Sequence, residues 1–478
     1  MGRCLSVPVT RGLTAADVSR SGPRVAAISY PGNVSGRDES DDERPLSGNP
    51  IARGARLASL PASFAARTTW GLGKRMVGAP AQAVLTDVQR RTADQIFSVL
   101  GQLKGGAMKF GQALSVFEAA LPDELAGPYR DALTKLQDAA PPMPASTVHR
   151  VMAAEFGPRW RDRFPVFEDH PAAAASIGQV HRATYEDGSD IAVKLQYPGA
   201  GEALMSDLRQ IARLARLFGV LAPGMDVKSL VAELRERVAE ELDYSLEAAA
   251  QDAFAIGFAD DPYVVIPRTI THTEHALVST WIDSIGSLAD IIDHGSHQER
   301  DDYGEAFVRF LFAGPARVGL LHADPHPGNF RIREDGLLGV VDYGAVARLP
   351  DGLPDTIGRL LRAAVDGDYG TVVDGLRDEG FLRGADLDPE IMERYLAPLV
   401  EPARQQSFTF SRSWLRSQGQ RLSRPDAEGF GTARQLNIPR EYLLIHRVWM
   451  GGVGVLCQLG ATAPFREILA ESLPGFDD

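Results

Sequence analysis

Cysteine is scarce in this chain of 478 residues, which contains only Cys4 and Cys457. Two cysteines so far apart in sequence are typical of free thiols in a reducing compartment, and they argue against a disulfide framework or a cysteine-rich metal site. Positive charge is also in deficit, because the formal net charge is −13. Non-specific binding of nucleic acid needs a basic face, so we expect no nucleic-acid partner.

The chain also lacks a long uninterrupted hydrophobic run. Its most apolar late stretch, residues 443–465, is interrupted by His446 and Arg447. The uninterrupted part, residues 448–463, is shorter than the roughly 20 residues that a membrane span needs. This pattern predicts a buried or interfacial helix. We therefore expect a cytoplasmic protein whose contact with the inner face of the membrane is at most peripheral.

The N-terminal third divides into two predicted regions. Residues 1–50 are rich in Ser, Gly, Pro and Arg and show no sustained apolar periodicity, which predicts a disordered tail. Residues 51–145 have a helical pattern and form a predicted helical extension. Within this extension, residues 51–91 hold seven basic residues against one acidic residue. That composition fits either a basic amphipathic segment on an anionic membrane surface or a solvated helical face.

The remaining sequence predicts two lobes. In residues 146–283, strand patterns flank an Asp187-Gly188 turn, and helical stretches are inserted among them. Residues 284–478 are mostly helical in pattern, apart from a hairpin that spans residues 330–341. The predicted fold class is therefore α+β, in the form of a two-lobed phosphotransferase with a helical extension in front of it.

The strongest chemical signal is the run of residues 322–329 with the hairpin that follows it. Asp324 lies five residues before Asn329, and Asp342-Tyr343-Gly344 follows the hairpin. This spacing matches the catalytic loop and the Asp-Phe-Gly element of kinases. Because Mg²⁺ prefers oxygen ligands, Asn329 and Asp342 are candidate metal ligands, and Asp324 is a candidate for orienting a hydroxyl or a water.

A second signal lies on the predicted strand that ends in Ile191-Ala192-Val193-Lys194. A lysine at this place in a kinase binds the α- and β-phosphates of ATP, and Glu247 on the following helix is its candidate partner. A loop of small residues precedes this strand and permits a close approach of backbone to phosphate. Alanine replaces most of the glycine that a kinase has there, which predicts a stiffer loop. The candidate nucleotide-binding residues are Ala174, Ala175, Ser176, Ile177, Gly178, Gln179 and Lys194.

Taken together, the motifs resemble the UbiB-type atypical kinase family, which includes the mitochondrial coenzyme Q kinase-like proteins. The resemblance covers about residues 85–470. Besides the two signals above, it is carried by Lys109-Phe110-Gly111-Gln112 and by Glu241-Leu242-Asp243. Three departures stand out, namely Tyr343 in place of Phe, Ala250 in place of a common Asn, and the hinge-like residues 278–281, which lack the usual acid.

The resemblance implies a two-lobed kinase-like fold whose N-terminal helices pack over the active site. It implies ATP or ADP and Mg²⁺ as ligands, with Lys194 paired to Glu247. Lys109 is expected to project toward the nucleotide, both as a catalytic and as a gating residue, and to meet Glu241 and Asp243. Gln112 belongs to the same gating element. The family acts in isoprenoid quinone and other membrane-lipid metabolism and behaves more like ATPases than protein kinases.

No Ala-Pro-Glu motif follows Gly344, so a platform for a protein substrate is not expected. The leading hypothesis is an atypical kinase or ATPase that acts at a membrane surface on a lipid-like small molecule. Two further hypotheses stay open, a soluble small-metabolite phosphotransferase and a nucleotide-gated scaffold without catalysis. The sequence leaves the oligomeric state open.

Overall fold

A computed structural model describes the chain from residue 142 onward, with gaps. The described residues all belong to one compact unit. The predicted tail of residues 1–50 and nearly all of the predicted helical extension lie outside them. The described ranges are residues 142–175, 177–202, 205, 239–240, 242–382, 387–423, 432 and 435–477.

The N-terminal lobe is built on an antiparallel sheet whose strand order is β1-β3-β4-β7-β6, with β2 added beside β3. Two helices precede the sheet in the chain, and a longer helix is inserted between β4 and β6. The helices are α1 (Ala145–Phe156), α2 (Trp160–Arg163) and α3 (Tyr244–Gly257). The strands are β1 (Val166–Phe167), β2 (Ala173–Ala175), β3 (Gly178–Thr184), β4 (Asp190–Gln196), β6 (Thr269–His272) and β7 (Ala276–Thr280).

The two faces of this sheet have different neighbours. Val193 and Leu195 on β4 are fully buried in one hydrophobic cluster with residues of α1 and α2. Successive side chains of a strand point to opposite faces. Lys194 therefore points to the other face, where α3 packs. The alternation of β4 fixes the direction of the lysine that the sequence singled out.

The C-terminal lobe combines small sheets with helices that surround a large hydrophobic core and a smaller one among residues 364–400. Its main sheet has the order β5-β11-β10-β8, and two strand pairs, β12-β9 and β13-β14, complete it. The strands are β5 (Val264–Val265), β8 (Gly286–Ser287), β9 (Leu320–His322), β10 (Phe330–Ile332), β11 (Leu338–Val340), β12 (Val346–Arg348), β13 (Phe408–Thr409) and β14 (Thr462–Ala463). The helices are α4 (Leu288–His294), α5 (His297–Val318), α6 (Asp355–Asp366), α7 (Tyr369–Asp378), α8 (Pro389–Arg404), α9 (Arg412–Ser423), α10 (Arg440–Leu459) and α11 (Phe465–Ser472).

Helix α5 forms the centre of this lobe. Its N-terminus is closed by a capping box in which Ser296 and Glu299 satisfy each other's backbone N–H groups. Its C-terminus is closed by Gly319 in a left-handed conformation with φ of 66°, which glycine adopts without strain. Between these ends Phe307 and Phe310 are almost fully buried. The helix therefore anchors β9, which follows directly and leads into the catalytic-loop sequence.

The α+β two-lobed kinase-like fold class is confirmed, and so is the hairpin that begins at Phe330. One detail of the prediction is wrong. Residues 284–478 hold strands besides the predicted hairpin, among them β13 and β14, which pair and bury Phe408 and Ala463, a long-range contact that local pattern does not reveal. In the N-terminal lobe β7 ends at Thr280, where the chain leaves the sheet for the other lobe. The packing of the extension over the active site lies outside the described residues, and the exact domain boundaries stay predictions.

Of the described helices, one passes the length and composition test for a membrane span. It covers Glu441–Leu459 with a mean hydropathy of 1.2, and 56% of it is buried inside the protein. A core helix of a soluble protein passes the same test, so this helix is weak evidence for insertion. It coincides with the apolar stretch that the sequence predicted to be a buried or interfacial helix.

A buried polar chain ties β3 to the segment before α1. The Gln179 side-chain oxygen accepts from the Met143 N–H at 2.7 Å, and its amide nitrogen lies 2.7 Å from His181 Nε2. His181 Nδ1 lies 2.7 Å from the Glu168 carbonyl oxygen, to which it donates as the neutral tautomer. In this tautomer His181 Nε2 accepts from the Gln179 side-chain amide. Protonating Nε2 would place a second N–H donor against the Gln179 N–H donor. Burial lowers the pKa of His181 below its usual value.

We expect this histidine to make the protein less stable in mild acid. Below about pH 6.5 His181 binds a proton in the unfolded chain but stays neutral in the native protein. The free energy of unfolding therefore falls by up to about 1.4 kcal/mol per pH unit as the pH is lowered. Denaturant unfolding of the wild type and of His181→Gln between about pH 7 and 5 measures this slope. The variant should show a shallower slope, whereas the exposed control His297→Gln should keep the wild-type slope. Equal slopes for His181→Gln and wild type would contradict the assignment.

Candidate active site

A buried ion pair of the N-terminal lobe, Lys194 with Glu247, lies beside Asp342 of the C-terminal lobe. Lys194 Nζ donates to Glu247 Oε1 at 2.6 Å and lies 3.8 Å from Asp342 Oδ1. The side chains of Lys194 and Glu247 are only 14% and 4% exposed. Burial alone would lower the pKa of Lys194, but the carboxylates of Asp342 and Glu247 outweigh it and raise that pKa above its usual value. The lysine is therefore a fixed cation.

The start of helix α3 places Glu247. Asp243 is its N-cap, and its side chain accepts from the Ser245 N–H at 2.9 Å. Glu247 follows in the first turn, which directs it toward Lys194. Tyr244 precedes it and lies under the lysine, with Nζ 5.1 Å from the ring centroid. The predicted gating contact cannot be traced further, because Lys109, Gln112 and Glu241 lie outside the described residues.

The alanine-rich loop forms a tight hairpin in which β2 pairs with β3. Ala175 faces Gly178 and Ala174 faces Gln179 in the antiparallel register. Ile177, between the strands, is buried against Tyr244 and Leu277. Ser176 lies outside the described residues. The hairpin thus places the small side chains of β2 beside β3. The stiffness expected from the alanine content stays a prediction.

Two candidate nucleotide-binding residues of this hairpin also have a structural reason to be there. A Cβ atom on Gly178 would lie 2.1 Å from the Leu195 carbonyl oxygen, so glycine is required by the neighbouring strand. The Gln179 side chain is engaged by Met143 and His181 on the sheet face opposite to Lys194. Any contact of Gln179 with a nucleotide is therefore limited to its backbone.

The catalytic-loop sequence folds against β10. A short 3₁₀ turn, Pro327–Asn329, is capped by His326, whose Nδ1 accepts from the Gly328 N–H at 3.1 Å. The Asn329 side-chain nitrogen donates to the Asp324 carbonyl oxygen at 3.3 Å. This contact leaves the Asn329 amide oxygen as the atom that could ligate a metal. Asn329 is buried and Asp324 half-buried, so the aspartate remains accessible from the cleft.

Asp342 is held beside Asn329 by the hairpin. The Val341 N–H donates to the Asn329 carbonyl oxygen at 3.0 Å. Because Asp342 directly follows Val341, this hydrogen bond keeps the two candidate ligands close together. Asp342 Oδ1 accepts from the Gly344 N–H at 2.9 Å, and the Asp342 carbonyl oxygen accepts from His322 Nε2 at 2.6 Å. A Cβ on Gly344 would crowd both Asp342 and Glu247.

The donor set fits magnesium better than a transition metal. Among the described residues, no group of three or more His, Cys, Asp or Glu side chains is arranged to hold a metal. Asn329 and Asp342 offer one amide oxygen and one carboxylate. Mg²⁺ is commonly bound by one or two protein oxygens and takes its other ligands from phosphates and water. The pair therefore suits a metal that arrives with a nucleotide.

Sequence reasoning gave no role to several residues that build this site. His322 fixes the backbone of Asp342, and buried Tyr343 packs with ring centroids 5.5 Å from His322 and 5.2 Å from Phe254. Tyr244 and Gly344 surround the ion pair. Their positions next to Glu247 and Asp342 in sequence were the available signal, but their contacts depend on tertiary packing.

The connection between the lobes consists of residues 281–285, which lie between β7 and β8. The backbone N–H groups at both ends of this connection donate to backbone carbonyl oxygens. The Thr280 N–H donates to the carbonyl oxygen of Arg268, the Trp281 N–H to that of Asp190 and the Ile285 N–H to that of Ile332. The N–H groups of Ile282, Asp283 and Ser284 make no hydrogen bond to any residue that the structure describes. This stretch can therefore offer backbone donors to a ligand.

The chain is similar to a family model and to several known proteins. A family model for the ABC1 atypical kinase-like domain matches residues 135–375. A solved structure of Rv3197 from Mycobacterium tuberculosis in complex with erythromycin is similar, with a TM-score of 0.65 and 42% identity. The match covers 84% of this chain and 100% of that one.

Two curated relatives are similar over a shorter region. The mitochondrial atypical kinase coq-8 of Caenorhabditis elegans is 31% identical over 66% of this chain and 42% of its own length. The chloroplastic protein ACTIVITY OF BC1 COMPLEX KINASE 1 of Arabidopsis thaliana is 33% identical over 62% of this chain and 44% of its own length. The matched region thus spans less than half the length of these two relatives.

Proposed function

Because the chain belongs to the ABC1 atypical kinase-like family, we propose that its cleft binds ATP or ADP together with Mg²⁺. We further propose that it acts as an ATPase or small-molecule kinase at a membrane surface, in support of isoprenoid quinone or lipid metabolism. The observation that carries the proposal is the buried pair of Lys194 and Glu247, with Asp342 3.8 Å from the lysine.

Each residue has a separate task in this proposal. Lys194 is the cation that binds the α- and β-phosphates, and Glu247 holds it in position. Asn329 and Asp342 hold the metal, which when bound neutralises charge on the phosphate oxygens. Asp324 orients the hydroxyl or water that accepts the phosphoryl group, and can take its proton. The base lies against the backbone N–H groups of residues 282–284.

The segment after Gly344 favours a small acceptor over a protein. The chain forms β12 at once, which pairs with β9 through Val346 and His322, and α6 begins at Asp355. Protein kinases use a sizeable segment here to support the peptide. The short connection offers no comparable platform, so the proposed acceptor is water or a small molecule.

The membrane and lipid part of the proposal is supported by the family and by one feature of the chain. The family resemblance links the chain to isoprenoid quinone metabolism. The basic composition of residues 51–91 suits an anionic surface. The gating role of Lys109, Gln112, Glu241 and Asp243 belongs to the same proposal. A peripheral position at the inner face of a membrane follows for a cytoplasmic protein.

A solved relative with erythromycin favours a second candidate function, the binding of a large lipophilic small molecule. A soluble small-metabolite phosphotransferase and a nucleotide-gated scaffold are two further candidates. Each candidate makes a different prediction for ATP turnover. The lipid-linked enzyme needs membrane or a phenolic lipid precursor, the soluble enzyme needs neither, and the scaffold turns over no ATP.

The test is ATP turnover by the full chain with no addition, with anionic liposomes, with neutral liposomes, with erythromycin and with a phenol that resembles a quinone precursor. The proposal expects stimulation by anionic liposomes or by the phenol, and none by neutral liposomes. Asp324→Asn should abolish turnover under every condition. ATP turnover at the same rate with and without every addition would favour the soluble enzyme. Binding of ATP without turnover would favour the scaffold. A change with erythromycin alone would favour the second candidate.

A further inference from the structure

Arg331 is a charged residue in an unexpected place, and neither the proposed metal site nor the ion pair uses it. It lies on β10, two residues beyond the proposed metal ligand Asn329. Its neighbours Phe330 and Ile332 are buried in the core of the C-terminal lobe, with 0% and 2% exposure. Arg331 therefore points to the opposite face of the strand, away from that core.

The outer face of the β10–β11 hairpin is turned toward the connection between the lobes. Arg331 faces Gly339 in the register of the two strands. A Cβ on Gly339 would lie 3.1 Å from the side chain of Ile282, so Ile282 covers this face directly. Arg331 Nε and Nη2 donate to Ser284 Oγ at 3.2 and 3.1 Å. The guanidinium is thus tethered next to the N–H groups of residues 282–284.

We propose that Arg331 is a specificity-determining residue whose guanidinium plane, tethered by Ser284, forms the floor under the purine base of the nucleotide. This inference rests on the proposed function and deepens it. A planar, delocalised cation stacks on an aromatic ring and is favoured there over a lysine ammonium. The two-ring purine offers a larger face than a pyrimidine, so the contact selects purine nucleotides.

The position of Arg331 separates this role from simple attraction of phosphate. Lys194, Asn329 and Asp342 mark the phosphate end of the cleft, and Arg331 lies at the end where the hinge N–H groups lie. The Ser284 hydroxyl that tethers the guanidinium is neutral. A nearby carboxylate is that of Asp290, whose pKa is lowered mainly by hydrogen bonds with Ser287 and also by the charge of Arg331. The same tether holds the plane in place, which reduces the entropy lost when a base stacks on it.

The experiment measures the affinity of the full chain for ATP, UTP and inorganic tripolyphosphate, each with Mg²⁺, by titration calorimetry. Arg331→Leu removes the cation, and Arg331→Lys keeps the charge without the plane. Arg333→Leu is the matched control, because Arg333 follows on the same hairpin and pairs with Asp335 in the turn. Thermal unfolding of each variant confirms that it is folded.

Both Arg331 variants should bind ATP about three- to tenfold more weakly. UTP affinity should change by less than about twofold and tripolyphosphate affinity should not change, so the preference for ATP over UTP narrows. Arg333→Leu should match the wild type with all three ligands. Wild-type ATP affinity in Arg331→Lys, or an equal loss for tripolyphosphate in Arg331→Leu, would overturn the inference while leaving the proposed function intact. A wild type that binds no nucleotide would overturn both.

Discussion

Replacing Lys194 with methionine is expected to lower the free energy of unfolding by about 3–5 kcal/mol and to abolish ATP turnover. The stability loss arises because Glu247, only 4% exposed, would keep a buried negative charge without its partner 2.6 Å away. Turnover is lost because the phosphates lose the cation that positions them. Denaturant unfolding and a phosphate-release assay measure the two effects separately.

The double variant Lys194→Met with Glu247→Gln separates stability from catalysis. Neutralising Lys194 and Glu247 removes the deeply buried unpaired charge and leaves only that of Asp342, which is 23% exposed, so most of the lost stability should return. Turnover should stay absent, because the cation is still missing. Turnover near the wild-type rate in the single variant would show that Lys194 does not contact the nucleotide, and a single variant as stable as the wild type would show that the pair is not buried in solution.

Asp342→Asn is expected to weaken Mg²⁺-dependent nucleotide binding and turnover by at least about 100-fold. The substitution keeps the shape of the side chain and its contact with the Gly344 N–H, but removes the one carboxylate of the proposed metal pair. Thermal shift with ATP, with and without Mg²⁺, measures the effect. The wild type should gain stability from ATP mainly when Mg²⁺ is present, and the variant should not.

Asp335→Asn is the matched control for this experiment. Asp335 lies in the turn of the same hairpin and pairs with Arg333, so it shares the local fold but not the cleft. It should respond to ATP and Mg²⁺ like the wild type. An Asp342→Asn variant that keeps a full Mg²⁺-dependent shift would refute the metal assignment.

Much of the site could be predicted because its residues carry local patterns. Asp324, Asn329 and Asp342 lie at fixed intervals around one hairpin, so their proximity follows from chain geometry. Lys194 lies on a strand with clear alternation, which fixes the face to which it points. The expected encounter of Lys194 with Glu247, the partner chosen on the following helix, spans 53 residues, and the two side chains meet in the structure. Their roles in nucleotide binding remain proposals.

Other features were hidden because they depend on contacts between distant segments. Gly178 is a predicted nucleotide-binding residue, yet its lack of a side chain is required by the Leu195 carbonyl oxygen on the next strand. Gln179 points to Met143 instead of the cleft. The sequence predicts no role for Arg331, because the proposed role depends on its hydrogen bond to the hydroxyl of Ser284 on the connection between the lobes. No local periodicity encodes such a contact.

The most direct test of the central claim is to label the full chain with an acyl-phosphate derivative of ATP, which transfers a tag to a lysine beside the bound phosphates. Peptide mass spectrometry then identifies the lysine that carries the tag. The account predicts a tag on Lys194 that excess ATP with Mg²⁺ suppresses. A chain in which Lys194 stays untagged, or is tagged to the same extent with and without competing ATP, would contradict it.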